Sequence, residues 1–168
     1  MNKGTDFGNP IDEEESNLEK KESCRVQKQD LAIYKEVQKN AEMGMKAIDI
    51  ISDKVHDGEL SRQLSRQALK YSEFRNRAVD KILESKAEPY RSTYMQDIML
   101  TTGIHSGTLL NTSTSHIAEM VIQGSNRGIT DMCKSLNHNK MADQTSVELA
   151  KELMDFEEKN IERLKHYL

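Results

Sequence analysis

From Tyr34 onward the apolar residues keep a strict rhythm. Tyr34, Val37, Ala41, Gly44, Ile48, Ile51 and Val55 are separated alternately by three and four positions. That spacing holds side chains on one face of an α-helix, and its seven-residue repeat is the pattern of a helix packed along its length on another. The stripe predicts a first helix from about Asp30, serving as N-cap, to Val55. His56, Asp57 and Gly58 form a stop, with Gly58 free to take the left-handed conformation that ends helices. A second stripe, Leu60, Leu64, Gln67, Tyr71, Phe74, Ala78 and Ile82, predicts a helix from Glu59 to about Ala87, beyond which Pro89 bars continuation. So short a turn makes these two helices an antiparallel hairpin. The same reasoning gives a second hairpin. Its first helix runs from about Thr114 to Leu136, capped by Thr112 or Ser113. Its second runs from about Ser146 to Tyr167, with Thr145 and Glu148 as a capping box and Ala150, Leu153, Glu157, Ile161, Leu164 and Leu168 on its inner face.

Residues from about 89 to 112 separate the hairpins, too many for a structureless loop in a compact domain. Tyr94, Ile98 and Thr101 or Thr102 fit a short helix that Gly103 would end. Such a segment can travel back along a neighbouring helix, which makes the second and third helices parallel while each hairpin stays antiparallel. The expected architecture is therefore all-α: a ferritin-like four-helix bundle over residues 29–168, two antiparallel hairpins joined by a crossover with a short helix. Residues 1–28 contain hardly any apolar side chain and read as a disordered acidic tail.

Composition narrows the function classes. Of the 168 residues 36% are hydrophobic and 31% charged, and there is no Trp, which suits a bundle whose helices each bury one stripe. The net charge of −4 sits mainly at the start: residues 1–30 carry five bases against eight acids, and the rest carry 19 against 20. Without a basic stripe to neutralise phosphates, nucleic-acid binding is not expected. The apolar runs are far shorter than the ~20 residues of a membrane span. The first residues lack the apolar core of a signal peptide, and Cys24 and Cys133 form no paired motif. A cytoplasmic protein with free thiols is the expectation. The nine methionines fit adaptable core filling.

The stretch HIAEMVIQGSNRG, residues 116–128, raises the question of chemistry. A bundle of this kind can hold two irons through a Glu from each of two helices and a Glu-x-x-His from each of the others. Carboxylates neutralise and bridge the cations, and histidines complete the coordination. That set is not present. Glu36 and Glu42 lie off the first stripe, the second helix offers Gln67 and Lys70 where Glu and His belong, and the third offers His116 and Glu119 in reversed order. The fourth has Glu157 followed by Asn160, with His166 far beyond. Two readings remain. In one, His116, Glu119 and Glu157 form a degenerate site for iron or manganese. In the other no metal or cofactor binds, and Gln67, Tyr71, Gln123 and Glu157 form an interior polar seam in which buried groups pair with one another. Gly124 and Gly128 place small residues one turn apart, allowing another backbone to approach closely, either inside the bundle or from a second chain. No catalytic residue set is recognisable.

At YKEVQKNAEMGMKAIDII, SHIAEMVIQGSNRGITDMCKSLN and ELMDFEEKNIERLKHYL the chain resembles small uncharacterised bacterial ferritin-like proteins, including the spore-coat kind. IAEMVIQGSNRGI is the most specific element of that resemblance, which spans about residues 30–168. It implies the bundle with a crossover and, in many relatives, loss of the iron ligands. This chain departs in the same way at Gln67, Lys70 and Asn160, so ferroxidase or iron-storage activity does not carry over. The expected function is a non-enzymatic structural or interaction protein, cytoplasmic or spore-associated, with self-association or a protein partner open. The rival is a non-haem metal-binding or redox protein.

Overall fold

The computed structural model describes residues 10–92, 100, 103–104 and 111–168, with side chains from Lys20 onward. Among these the chain is all-helical, without strands: α1 (Pro10–Ser52), α2 (Gly58–Glu84), α3 (Thr114–His138) and α4 (Gln144–Leu164), closed by a 3-10 turn, Lys165–Tyr167. Helix α1 packs on each of the other three, most extensively on α2, and α4 packs on both α2 and α3. No described helix is long and apolar enough to cross a membrane.

The core lies where the stripes meet. All seven positions read for the second helix are buried in α2. On α1, Tyr34, Val37, Ala41, Ile48 and Ile51 are buried, joined by Ile33 and Gln38. On α4 the buried set adds Ser146, Leu149 and Asn160 to the expected face, while Leu168 is 64% exposed and takes no part in it. Asp57 caps α2, its carboxylate accepting from the Leu60 N–H at 2.8 Å. Ser113 caps α3 and accepts from the His116 N–H at 3.3 Å.

Helix α1 begins at Pro10, so the polar stretch from 10 to 28 continues the helix instead of forming a disordered tail. Pro suits the first helical position, where its missing N–H costs nothing, and Glu and Lys are good helix formers. Residues 1–9 lie outside the described residues. Asp30, read as an N-cap, is inside α1; its Oδ1 accepts from the Asp143 N–H at 2.6 Å and from the Ser146 hydroxyl at 2.9 Å. The residue that looked like a helix boundary instead ties α1 to the start of α4. Helix α1 stops at Ser52, and Gly58 is the first residue of α2, not a left-handed terminus. The α4 cap is Asp143, not Thr145; it accepts from the Thr145 N–H, and Glu148 bonds Gln144 at 2.8 Å instead of closing a capping box. The expected crossover helix falls largely on residues outside the described set; of the described residues there, Leu100, Gly103 and Ile104 are helical, so the helix does not end at Gly103 as expected.

One buried amide fixes where the chain leaves α2. Gln38 donates to the Tyr90 carbonyl at 3.0 Å and accepts from the Tyr90 N–H at 2.8 Å. The two bonds hold the segment after α2 against α1. The Gln38 amide also donates to Glu42 at 2.9 Å, and Arg75 of α2 reaches the same carboxylate at 3.0 Å.

Candidate functional site

Halfway along the bundle a polar side chain enters the apolar core from each of three helices. Gln67 and Tyr71 are four apart on α2, so they stand one above the other on its inner face. Gln67 Nε2 donates to Tyr71 Oη at 3.1 Å, and that hydroxyl donates to Glu157 Oε1 of α4 at 2.7 Å. Ser125 of α3, 4% exposed, is the third contributor, lining the same pocket as Tyr71 and Glu157. The Tyr71 ring meets Phe156 edge to face at 5.3 Å between centroids, which fixes the direction of the hydroxyl.

Two glycines make room for this arrangement. A Cβ at Gly44 of α1 would stand 2.6 Å from the Tyr71 ring, so the bare backbone there is what admits the phenol. A Cβ at Gly128 of α3 would stand 2.7 Å from Asn40 Oδ1 and 3.9 Å from Glu157 Oε1. Asn40 is held in place by its amide, which donates to the Glu36 carbonyl at 3.1 Å and to Glu36 Oε1 at 3.0 Å.

The electrostatics follow from burial. Desolvation raises the Glu157 carboxyl from its ordinary value, and the Ser125 and Tyr71 hydroxyls pull it part of the way back. Burial, then the charge of Glu157, pushes the Tyr71 phenol well above its usual value, so it remains a donor. The donors run one way, from amide to phenol to carboxylate. They leave two acceptors over: Gln67 Oε1 and Glu157 Oε2 are buried without a hydrogen-bond partner. The seam is therefore not self-satisfying as expected, since one oxygen of Gln67 and one of Glu157 stay without a donor. Asn160 Nδ2 is likewise buried and unpartnered.

A pocket of about 200 Å³ opens beside the cluster. Gln67, Tyr71, Ser125 and Glu157 line it together with Lys39, Asn40, Arg127 and Asp131, and Met43, Ile48, Leu100, Ile104, Met120 and Val121 supply apolar wall.

The remaining candidates lie elsewhere. Gln123 is exposed on α3 and donates to Glu119 at 3.2 Å, so it does not join the seam. The inward register of α3 is Ala118, Ser125 and Met132, seven residues apart, and position 123 falls on the far side. That repeat was the signal that could have found Ser125. Gly124 is exposed and a Cβ there would meet nothing within 4 Å, so it is not a close-packing glycine within the bundle; Gly44 and Gly128 are. His116 stands 3.8 Å from Glu119, whose side chain is 57% exposed, and Glu157 is engaged with Tyr71 in the core. Among the described residues no three His, Cys, Asp or Glu side chains gather as a metal site would need. The inward positions Gln67, Ser125 and Asn160 offer neutral donors, and a pair of hard cations would meet one buried carboxylate. These residues do not fit a di-iron centre. Neither a family model, nor a curated protein, nor a solved structure matches the chain.

Proposed function

We propose that this chain is a non-enzymatic structural or interaction protein on a ferritin-like bundle of the bacterial spore-coat kind, with two antiparallel hairpins and a crossover. Residue pairings support the topology. Glu42 and Gly44 of α1 meet Arg75 and Tyr71 of α2, so position rises on one helix as it falls on the other. Arg77 and Tyr71 of α2 meet Glu152 and Glu157 of α4 in the same opposed sense. Asp30 of α1 meets Ser146 of α4, and both Asn40 and Glu157 meet Gly128, so those two helices run the same way.

The observation that carries the functional reading is that Glu157 is the one acidic side chain among the buried described residues, where two-metal chemistry needs several. A single carboxylate already bonded by a phenol is a structural or recognition element. Elemental analysis after expression with added iron or manganese tests this. The expected result is less than one metal per several chains and an unfolding temperature indifferent to added Fe(II) or Mn(II). Stoichiometric metal that is lost in Glu157→Ala would overturn the reading and favour the metal-binding or redox alternative.

A further inference from the structure

We infer that the pocket lined by α1 and α3 is a binding site for a small neutral apolar molecule the size of a substituted benzene ring. Its accessible wall is mostly carbon and sulfur, from Met43 and Ile48 of α1, Met120 and Val121 of α3, and Leu100 and Ile104. Its volume of about 200 Å³ lies slightly above the ~150 Å³ of an apolar cavity that takes benzene. Close-packed interiors leave few voids larger than a water molecule, so a space of this size departs from ordinary packing. Gly124, on the border of the pocket, is a second and independent departure. Glycine is unfavourable inside a helix, and a close approach would justify it, yet a Cβ at this position would meet nothing within 4 Å. What the missing side chain leaves is room.

The polar residues on the border do not call for a polar guest. The two orphan oxygens, Gln67 Oε1 and Glu157 Oε2, are sealed from any water-sized space, so they do not face the pocket. The Gln67 amide and the Tyr71 hydroxyl are committed to the bonds that end at Glu157. Lys39 and Asn40 both bond Glu36, at 2.9 Å and 3.0 Å. Arg127 stands 4.0 Å from Asp131, whose carboxylate also receives Lys134 at 3.2 Å. Each described cation on the border thus has an anion of its own, and a charged guest would have to break a pair to gain one. Ordered water is served no better, because a buried water needs about two to four polar partners. A neutral hydrocarbon needs none and gains from every apolar contact. The two methionines adapt the wall to its outline, since an unbranched thioether follows what it touches.

This inference goes beyond the non-enzymatic reading and is tested apart from it, since metal content decides that one and hydrocarbon binding this one. The experiment is calorimetric titration of the full chain with toluene, phenol, benzylamine and benzoate, four probes that share a ring and differ in polarity. Saturable one-to-one binding of toluene is expected, tighter than phenol by about tenfold or more because the phenol hydroxyl would be buried without a partner. Benzylamine and benzoate, charged at neutral pH, should give no saturable heat in the millimolar range. Ala47→Leu places a larger side chain in the wall and should weaken toluene by about tenfold or more. Gly124→Leu guards against a variant that fails to fold: open space surrounds position 124, so the helix tolerates the change while the leucine narrows the pocket. Toluene affinity should fall about tenfold there, with helicity unchanged. No saturable heat with toluene, equal or tighter binding of phenol or of either charged probe, or toluene binding undiminished in both variants would each overturn the assignment.

Discussion

Gly44→Ala adds one methyl group where a glycine backbone meets the Tyr71 ring. The new Cβ would stand 2.6 Å from Tyr71 Cε2 and 2.7 Å from Cζ, whereas ordinary contact begins at 3.4 Å, so the ring edge must retreat by about 0.8 Å. The ring has little freedom to do so. It is 3% exposed, its hydroxyl lies 2.7 Å from Glu157, and it stands at 89° to the Phe156 ring with the centroids 5.3 Å apart. Overpacking of this kind costs about 1–3 kcal/mol. If the ring yields by giving up its bond to Glu157, a buried carboxylate loses its donor at a cost of about 1–3 kcal/mol more. Against this stands the helix-propensity gain of Ala over Gly, roughly 1 kcal/mol. The net expectation with both terms is a loss of about 1–5 kcal/mol, and at ~2–4 °C per kcal/mol for a domain of this size the unfolding temperature falls by about 2–20 °C. Urea and thermal unfolding followed by far-ultraviolet circular dichroism measure both quantities. Gly124→Ala, in open space, is the matched control and should gain up to ~1 kcal/mol. In a Tyr71→Ala background the crowding is gone, and Gly44→Ala should stabilise instead of destabilise. A Gly44→Ala protein as stable as the parent, or the same loss in the Tyr71→Ala background, would refute the account.

Tyr71→Phe keeps the ring and removes the hydroxyl, so the Gln67 amide and Glu157 Oε1 both lose a partner; urea unfolding should show a loss of about 1–3 kcal/mol. Because burial raises the Glu157 carboxyl, the folded chain keeps a proton over a pH interval in which the unfolded chain has lost it. Its stability contribution is full below the ordinary carboxyl pKa and declines as pH rises through the folded value. The urea midpoint of the parent relative to Glu157→Gln should therefore drop across that interval and then level off, and a flat difference would contradict the burial argument. Light scattering on the parent and Gly124→Leu should give the same mass; a lower mass for the folded variant would place a contact between chains at that glycine.

How much of this was legible depended on whether the information was local. The α2 stripe could be read directly from spacing because each of its inward positions, polar ones included, keeps the seven-residue repeat. The pairing of Gln67 and Tyr71 with Glu157 was legible for the same reason: polar residues on a buried stripe must find one another. Gln123 was misplaced because it stands near the inner face in sequence, while the repeat through Ala118, Ser125 and Met132 puts a serine inward instead. The roles of the glycines depend on what faces them. Gly44 looks like one more small stripe residue until the Tyr71 ring is placed opposite, and Gly124 looks like a packing residue until nothing is found there. Asp30 failed as a boundary because a cap and a cross-link use the same carboxylate, and only the position of Ser146 distinguishes them.

The 43 residues of α1 extend about 65 Å at 1.5 Å per residue, against about 40 Å for the 27 residues of α2. The excess lies before Gln29, which receives the Met141 N–H at 2.8 Å; from Lys20 to Lys28 every side chain but the half-buried Val26 is exposed. One continuous helix thus carries two grades of durability, since a single unsupported helix is marginal in water while its continuation shares a core. Deuterium should enter the amides of residues 20–28 orders of magnitude sooner than those of Val37 and Ala41, and trypsin should trim at Lys21, Arg25 and Lys28 while sparing the part that Asp30 clasps.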